Sequence, residues 1–355
     1  MKITDHIKNA NGKTLFSFEL LPPVKGQSIQ WIYDAIDPLM EFKPSWINVT
    51  YHRAEQVFKK KADGTFEKVE IRKRPGTVGI CAALQNHYDI DAVPHLICGG
   101  FSKRETEDAL IDLNFIGVQN VLVLRGDAAK NEANFEPHPD GNRLAIDLLK
   151  QTINLNHGIY LEEDIRDGFR TDFCAGVAGY PEKHFETPNL EIEMQRLKDK
   201  VDAGAEYIMT QMFFDNSKFF AFVKQCRDNG IDVPIIPGLK PLTSKKQLSV
   251  IPRTFHVDIP TELSNEIMRA KTVFFDILRR LHSKQFYKLL AEITLIFYTN
   301  LRANLCDINA FSKHNYCGSS DSDRSDKTVY SLPGNCFNLF IKAGMAHAHC
   351  SRETF

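Results

Sequence analysis

None of the eight cysteines in this 355-residue chain form a Cys-x-x-Cys pair, which removes the usual signature of a zinc ribbon or a redox dithiol. Thiols scattered this way through a long chain are expected to be reduced and packed in the core. A net charge of −1 gives no excess of either sign, so neither nucleic acid nor an anionic membrane surface is indicated as a partner. No uncharged apolar run approaches the roughly 18 residues of a membrane-spanning helix. The opening Met1-Lys-Ile-Thr-Asp-His-Ile-Lys8 carries no apolar targeting core, and a cytoplasmic location is expected. Glycine never falls into Gly-x-Gly-x-x-Gly or a phosphate-loop pattern, so any dinucleotide is held without a Rossmann unit. Histidines, cysteines and carboxylates do not gather at ligand spacing, and no metal is expected.

What the chain does have is alternation of strand and helix signals, with 43 % hydrophobic residues to bury a core. Val121-Leu-Val-Leu124 is an apolar run suited to a strand covered on both faces. Around it lie six similar stretches: Thr14–Leu21, Trp46–Tyr51, Ala92–Leu96, Phe173–Ala178, Tyr207–Gln211 and Val233–Pro237. Helices are expected from Ser28 to Met40, from Ser102 to Gly117, up to about Ile153, from Asn189 to Ala203 and from Ser217 to Asn229. Ser102-Lys-Arg-Glu105 has capping-box spacing. Asp63-Gly64, between alternating runs, predicts a hairpin within 57–71 that stands off the main sheet. The prolines at 94 and 234 argue mildly against central strands there. The pattern predicts an α/β fold, a TIM-type (β/α)8 barrel with a small β-hairpin excursion, whose eighth strand is doubtful or replaced.

In such a fold ligands bind at the C-terminal ends of the strands. Those ends carry Glu19, Thr50 and Tyr51, His95, Arg125-Gly126-Asp127, Tyr180 and His184, Gln211, and Lys240. Acids, imidazoles, cations and an amide on one apolar mouth describe a ligand site. Taken alone, His95 reads as a satisfied core histidine and Arg125-Gly126-Asp127 as a polar loop start. Glu19 is different, because a carboxylate within an apolar strand is rare unless paired or used.

Eight stretches in order carry a resemblance: Phe16-Ser-Phe-Glu-Leu-Leu-Pro-Pro23, Asn48-Val-Thr-Tyr51, Pro94-His-Leu96, Leu124-Arg-Gly-Asp127, Gly179-Tyr-Pro-Glu-Lys-His184, Lys200-Val-Asp-Ala-Gly204, Thr210-Gln-Met-Phe-Phe-Asp215 and Ile236-Pro-Gly-Leu-Lys-Pro241. Over residues 10–271 the chain resembles methylenetetrahydrofolate reductase, the FAD-dependent barrel that makes 5-methyltetrahydrofolate. The resemblance implies ping-pong hydride transfer from NADH or NADPH through FAD to methylenetetrahydrofolate. It implies that Glu19 is the general acid toward the folate, a role that enclosure in an apolar strand would favour near neutral pH. Asp127 is implied beside flavin and pterin. Thr50, Tyr51, His95, Arg125, Gly126, Ala145, Tyr180, His184 and Lys200 are implied as FAD contacts, and Gln211 and Gln247, with Glu19 and Asp127, as substrate contacts. A homo-oligomer is common in the family.

The chain departs from the pattern at Leu144, where many members carry a flavin-contacting tyrosine, and at Ile251, where a phenylalanine covers the folate. The larger departure separates residues 1–272, the flavin-binding barrel, from 273–355. That second segment holds Cys306, Cys317, Cys336 and Cys350, half the cysteines. It reads as partly helical, then irregular, and Phe297-Tyr-Thr299 with Arg302 nearby is its one candidate for an eighth strand. Two alternatives stand beside the reductase reading. One is a non-catalytic or poorly folding product with a frame-shifted C-terminus, and the other a flavin barrel of the proline-dehydrogenase kind.

Overall fold

The computed structural model describes residues 1–270 apart from 129–131 and 133. The atypical segment 273–355, with the eighth-strand candidate and four of the cysteines, lies outside the described residues. A short helix α1 (Ile3–Asn9) precedes β1 (Ser17–Leu20), α2 (Gln30–Ile36) and β2 (Trp46–Val49). The hairpin follows as β3 (Glu55–Lys60) and β4 (Phe66–Ile71), and then come α3 (Thr77–Tyr88), β5 (Asp91–Ile97), α4 (Lys103–Phe115) and β6 (Asn120–Leu124). The rest is α5 (Ala145–Asn156), β7 (Cys174–Gly179), α6 (Leu190–Asp202), β8 (Tyr207–Thr210), α7 (Asn216–Asp228), β9 (Ile235–Ile236), α8 (Gln247–Phe255) and α9 (Thr261–Arg269).

Seven strands form one parallel sheet in the order β1-β2-β5-β6-β7-β8-β9, with the β3–β4 pair separate. Sequence order is spatial order once the hairpin is set aside, which is the connectivity of a barrel wall. Among the described residues β1 pairs only with β2 and β9 only with β8. The curled sheet therefore has the TIM-barrel form.

Side chains alternate across this sheet as strand geometry requires. Trp46, Val93, Leu122, Cys174, Tyr207 and Ile236, one from each of six strands, point inward and form a cluster with Ile3 of α1, which plugs the N-terminal end of the ring. Their neighbours Ile47, Ala92, Val121, Ala175, Ile208 and Ile235 face outward into the layer beneath the helices. Tyr207 fills the interior because Gly176 makes room: a Cβ there would sit 2.1 Å from the tyrosine ring. The buried phenol donates to Val121 O at 3.0 Å. The four described cysteines are free and buried, as expected.

Differences from the sequence reading have local causes. The helix expected over Ser28–Met40 is α only to Ile36 and 3₁₀ over Asp37–Phe42, because Pro38 has no N–H for the α pattern. Ser28 contributes its carbonyl, accepting from Trp31 N at 3.2 Å, and makes no side-chain cap. Pro94 stands in a central strand after all, since the β5–β6 ladder begins one residue later at His95. Pro234, by contrast, leaves β9 only two residues long. The Ser102 capping box forms with both bonds in place. The hairpin closes through a five-residue turn in which Asp63 accepts from Thr65 N at 2.9 Å and Gly64 takes φ +86°.

Candidate active site

Inward-facing positions near the C-terminal ends of β1, β2 and β5 are Glu19, Asn48 and His95. Glu19 pairs in register with Asn48, which pairs with Val93 two residues before His95. His95 is buried, and its Nε2 lies 3.9 Å from Glu19 Oε2. Burial depresses the pKa of His95, with the Glu19 charge opposing it. The Glu19 side chain is 51 % exposed, so the strand does not enclose it; it stands at the open mouth. Two polar atoms of this layer, Asn48 Oδ1 and His95 Nε2, are buried without a hydrogen-bond partner in the protein. Buried polar atoms are ordinarily satisfied, so the pair marks a place where a bound group completes the bonding.

Gly126 takes φ +85°, a conformation that a side chain would strain. The space is also short, for a Cβ there would lie 3.3 Å from Ile97 Cβ. Arg125, just before it, reaches sideways to Glu186. Its Nη2 donates to Oε1 at 3.0 Å, its Nη1 reaches Oε2, and its guanidinium lies 4.9 Å from the centre of the Phe135 ring. The paired arginine holds the Glu186 carboxyl below its usual range.

One pocket brings together Asp127, Tyr180, His184 and Gln211, four of the expected site residues, with Phe185 and His256 on its wall. The Tyr180 ring meets His184 edge-on at 4.8 Å. Burial, aided by the Arg125 charge, lowers the pKa of His184. Gln211 is anchored by its backbone N–H to Gly179 O at 2.8 Å, and its Oε1 accepts from Met212 N at 2.9 Å.

The remaining expected residues do not line this pocket. Thr50 fastens β2 to β1, its N–H donating to Leu20 O at 3.0 Å. Tyr51 stands edge-on to Phe101 at 5.0 Å with Arg72 over its ring at 5.7 Å. Ala145 is the first residue of α5, beside an exposed Leu144. Lys200, in α6, donates from Nζ to Ala178 O at 2.8 Å behind the end of β7, and burial pulls its pKa down to about 8. Gln247 opens α8 and turns its Oε1 inward, accepting from Thr243 N at 2.6 Å and Ser244 N at 3.1 Å. Ile251 is buried in a separate cluster with Leu242, Val257 and Ile267.

Two rim residues escaped the sequence reading. His52 lies within electrostatic reach of Glu19, His95 and Asp127, and desolvation, followed by the Arg74 charge, lowers its pKa. Its signal was an imidazole directly after the Thr50-Tyr51 strand end. Glu186 was signalled only as an acid two residues beyond His184. Lys240, after β9, is half-buried and feels the Glu19 charge, although burial is the larger effect and lowers its pKa.

Residues 2–273 match the family described as methylenetetrahydrofolate reductase. The chain belongs to this family. It is 31 % identical over 273 residues to methylenetetrahydrofolate reductase 2 of Saccharomyces cerevisiae, covering 75 % of this chain and 41 % of the yeast protein. It is 32 % identical over 275 residues to the Arabidopsis thaliana methylenetetrahydrofolate reductase (NADH) 1, covering 74 % of this chain and 42 % of that one. Against the 5,10-methylenetetrahydrofolate reductase of Salmonella typhimurium it is 28 % identical, covering 74 % and 76 %. The chain thus spans about two-fifths of the yeast and plant relatives and three-quarters of the bacterial one. A solved structure of a Clostridium thermocellum protein that binds two copies of 5-methyl-5,6,7,8-tetrahydrofolic acid aligns with a TM-score of 0.51 at 16 % identity, covering 83 % of this chain and 88 % of that one. That likeness is one of fold alone. Among the described residues no helix is long and apolar enough to cross a membrane.

Proposed function

We propose that residues 1–272 form a cytoplasmic flavin barrel that reduces 5,10-methylenetetrahydrofolate to 5-methyltetrahydrofolate with NADH or NADPH. The observation that carries this is the convergence of Glu19, His95, Asp127 and Gln211 on the mouth of a reductase-family barrel. Bound FAD supplies the two-electron carrier for a ping-pong exchange between the nicotinamide and the folate.

The residues present fit that group. His95 Nε2 and Asn48 Oδ1, both unpartnered and buried, suit a ring edge with alternating donors and acceptors. Gly126, at φ +85° against Ile97, sets the turn that follows β6 at the edge of this site. Arg125 suits a diphosphate, exchanging its carboxylate partner Glu186 for phosphate oxygens. Thr50, Tyr51, Ala145, Tyr180, His184 and Lys200 complete the proposed FAD shell.

On the substrate side, Glu19 stands at the mouth with a carboxyl that can hand a proton to a folate nitrogen as the methylene bridge opens. Asp127 and Gln211 line the pocket where the pterin would be oriented, and Gln247, at the start of α8, is assigned to the substrate as well. The test is direct. Purified protein should be yellow and should bleach on anaerobic addition of NADH or NADPH, then recover colour with methylenetetrahydrofolate. Colourless protein that takes up no added FAD would overturn the reading.

A further inference from the structure

One wall of the pocket is built from two segments far apart in sequence. Phe185, in the loop after β7, stacks on His256, the residue that ends α8, with centroids 4.1 Å apart and planes at 24°. His184, one of the expected flavin contacts, also stacks on Phe185, at 4.8 Å. The two segments are fastened together. Asp258 N donates to Glu182 Oε2 at 2.7 Å, and Lys218 bridges Glu182 Oε1 at 3.2 Å and Asp258 Oδ2 at 2.5 Å. His256 sits at φ +54°, an uncommon conformation that its neighbours hold in place. Phe185 is 52 % exposed even so, which means a large apolar ring has been positioned, anchored and left half exposed beside the pocket.

We propose that the Phe185–His256 pair is a stacking shelf that holds a flat aromatic ring of the substrate away from the reacting carbon. It rests on the reductase reading and extends it to the distal half of the substrate. The ligand chemistry is a planar π system linked to a reactive end that points toward Asp127 and Gln211. Two substrates of the proposed reaction carry one: the benzoyl ring of the folate and the adenine of the nicotinamide nucleotide. Offset stacking on a fixed aromatic pair adds affinity beyond its buried area, and the pre-set wall lowers the entropy of docking.

The full-length chain with Phe185→Leu, and separately with His256→Ala, tests the shelf. Flavin content and the kinetics of each half-reaction should be measured for both variants. The expected result is a rise in KM of about three- to tenfold for one ring-bearing substrate, with kcat and flavin content within about twofold of the parent. A rise for the folate alone assigns the benzoyl ring, and a rise for the nucleotide alone assigns adenine. Equilibrium dialysis of 5-methyltetrahydrofolate and of NAD⁺ gives a readout independent of turnover. A parent that binds either ligand while Phe185→Leu binds it several-fold more weakly supports the shelf even if reduction fails. Unchanged binding in both variants overturns it, as does a parent that binds neither ligand or a variant whose only loss is flavin.

Discussion

His95 holds its Nε2 3.9 Å from Oε2 of Glu19, two strands away in the same sheet. The separation is too long for a hydrogen bond and short enough for charge to matter. Burial keeps His95 neutral at pH 7, so the carboxyl faces a ring that adds no positive charge. Replacing Glu19 with Gln should leave electron transfer from NADH to an artificial acceptor within about twofold. Folate reduction should fall by about 10²-fold or more, as loss of a general acid does. Equal loss of both activities, measured on the same flavin-loaded sample, would rule out the acid role.

The same histidine sets a pH dependence of stability. The pKa values of His95 and His184 are both depressed in the fold by burial, while in the unfolded chain they return to about 6.5. Below that value the unfolded state binds protons that the folded state refuses. Stability is therefore full above about pH 6.5 and declines as pH falls toward the folded pKa values. His95→Gln should flatten this acid limb. Thermal unfolding between pH 5 and 7.5 would show it as a smaller drop in Tm than in the parent.

How much of this was visible in the chain differs between the frame and the rim. Strands such as Val121–Leu124 were legible because burial on both faces writes a continuous apolar run, and the Ser102 helix start because its cap spacing is local. Helices α1, α3, α8 and α9 were not read, since their packing partners are distant: Ile3 finds Leu122 and Tyr207 only after the ring forms. The same holds for the site. Residues at strand ends could be aligned from sequence. The Arg125–Glu186 pair and the Phe185–His256 stack could not, because loop geometry decides them.

Arg125 and Glu186 yield a prediction with opposite signs for the two partners. If Arg125 exchanges its carboxylate for a diphosphate, Arg125→Ala should weaken flavin retention by about 10- to 100-fold, the scale of a charge-assisted pair. Glu186→Gln should strengthen retention, because the competing anion is gone and the guanidinium is released. Titration of apoprotein with FAD, followed by flavin fluorescence, measures both. Weakening in both variants would show instead that the pair serves the loop fold.

Lys200 is a buried cation that costs the fold stability. Its pKa falls to about 8 because burial disfavours the ammonium, although Nζ still donates to Ala178 O. Between about pH 8 and the unfolded value near 10.4, the unfolded chain binds the extra proton, so stability rises with pH across that window. Lys200→Met removes the buried charge and should raise the apoprotein's stability at pH 7 by about 1 kcal/mol while flattening the alkaline rise. The same variant should retain flavin less well. Urea unfolding at pH 7 and pH 9.5 separates the effects, and a variant less stable than the parent at pH 7 would show that the Ala178 bond outweighs the desolvation.

Gly176 tests the frame itself. A methyl group there would lie 2.1 Å from the Tyr207 ring, closer than any real contact, and that ring is pinned by its bond to Val121 O. Neither side can yield by a simple rotamer change, because Tyr207 occupies the centre of the barrel. Gly176→Ala should destabilise the fold by about 3 kcal/mol or more, at the upper end of overpacking. Adding Tyr207→Leu shortens the obstructing ring and should recover part of that loss, since the two sites are in contact and their effects are not additive. Equilibrium unfolding of both single variants and the double variant measures the coupling. A double variant no more stable than the sum of the single losses would place the strain elsewhere than between β7 and β8.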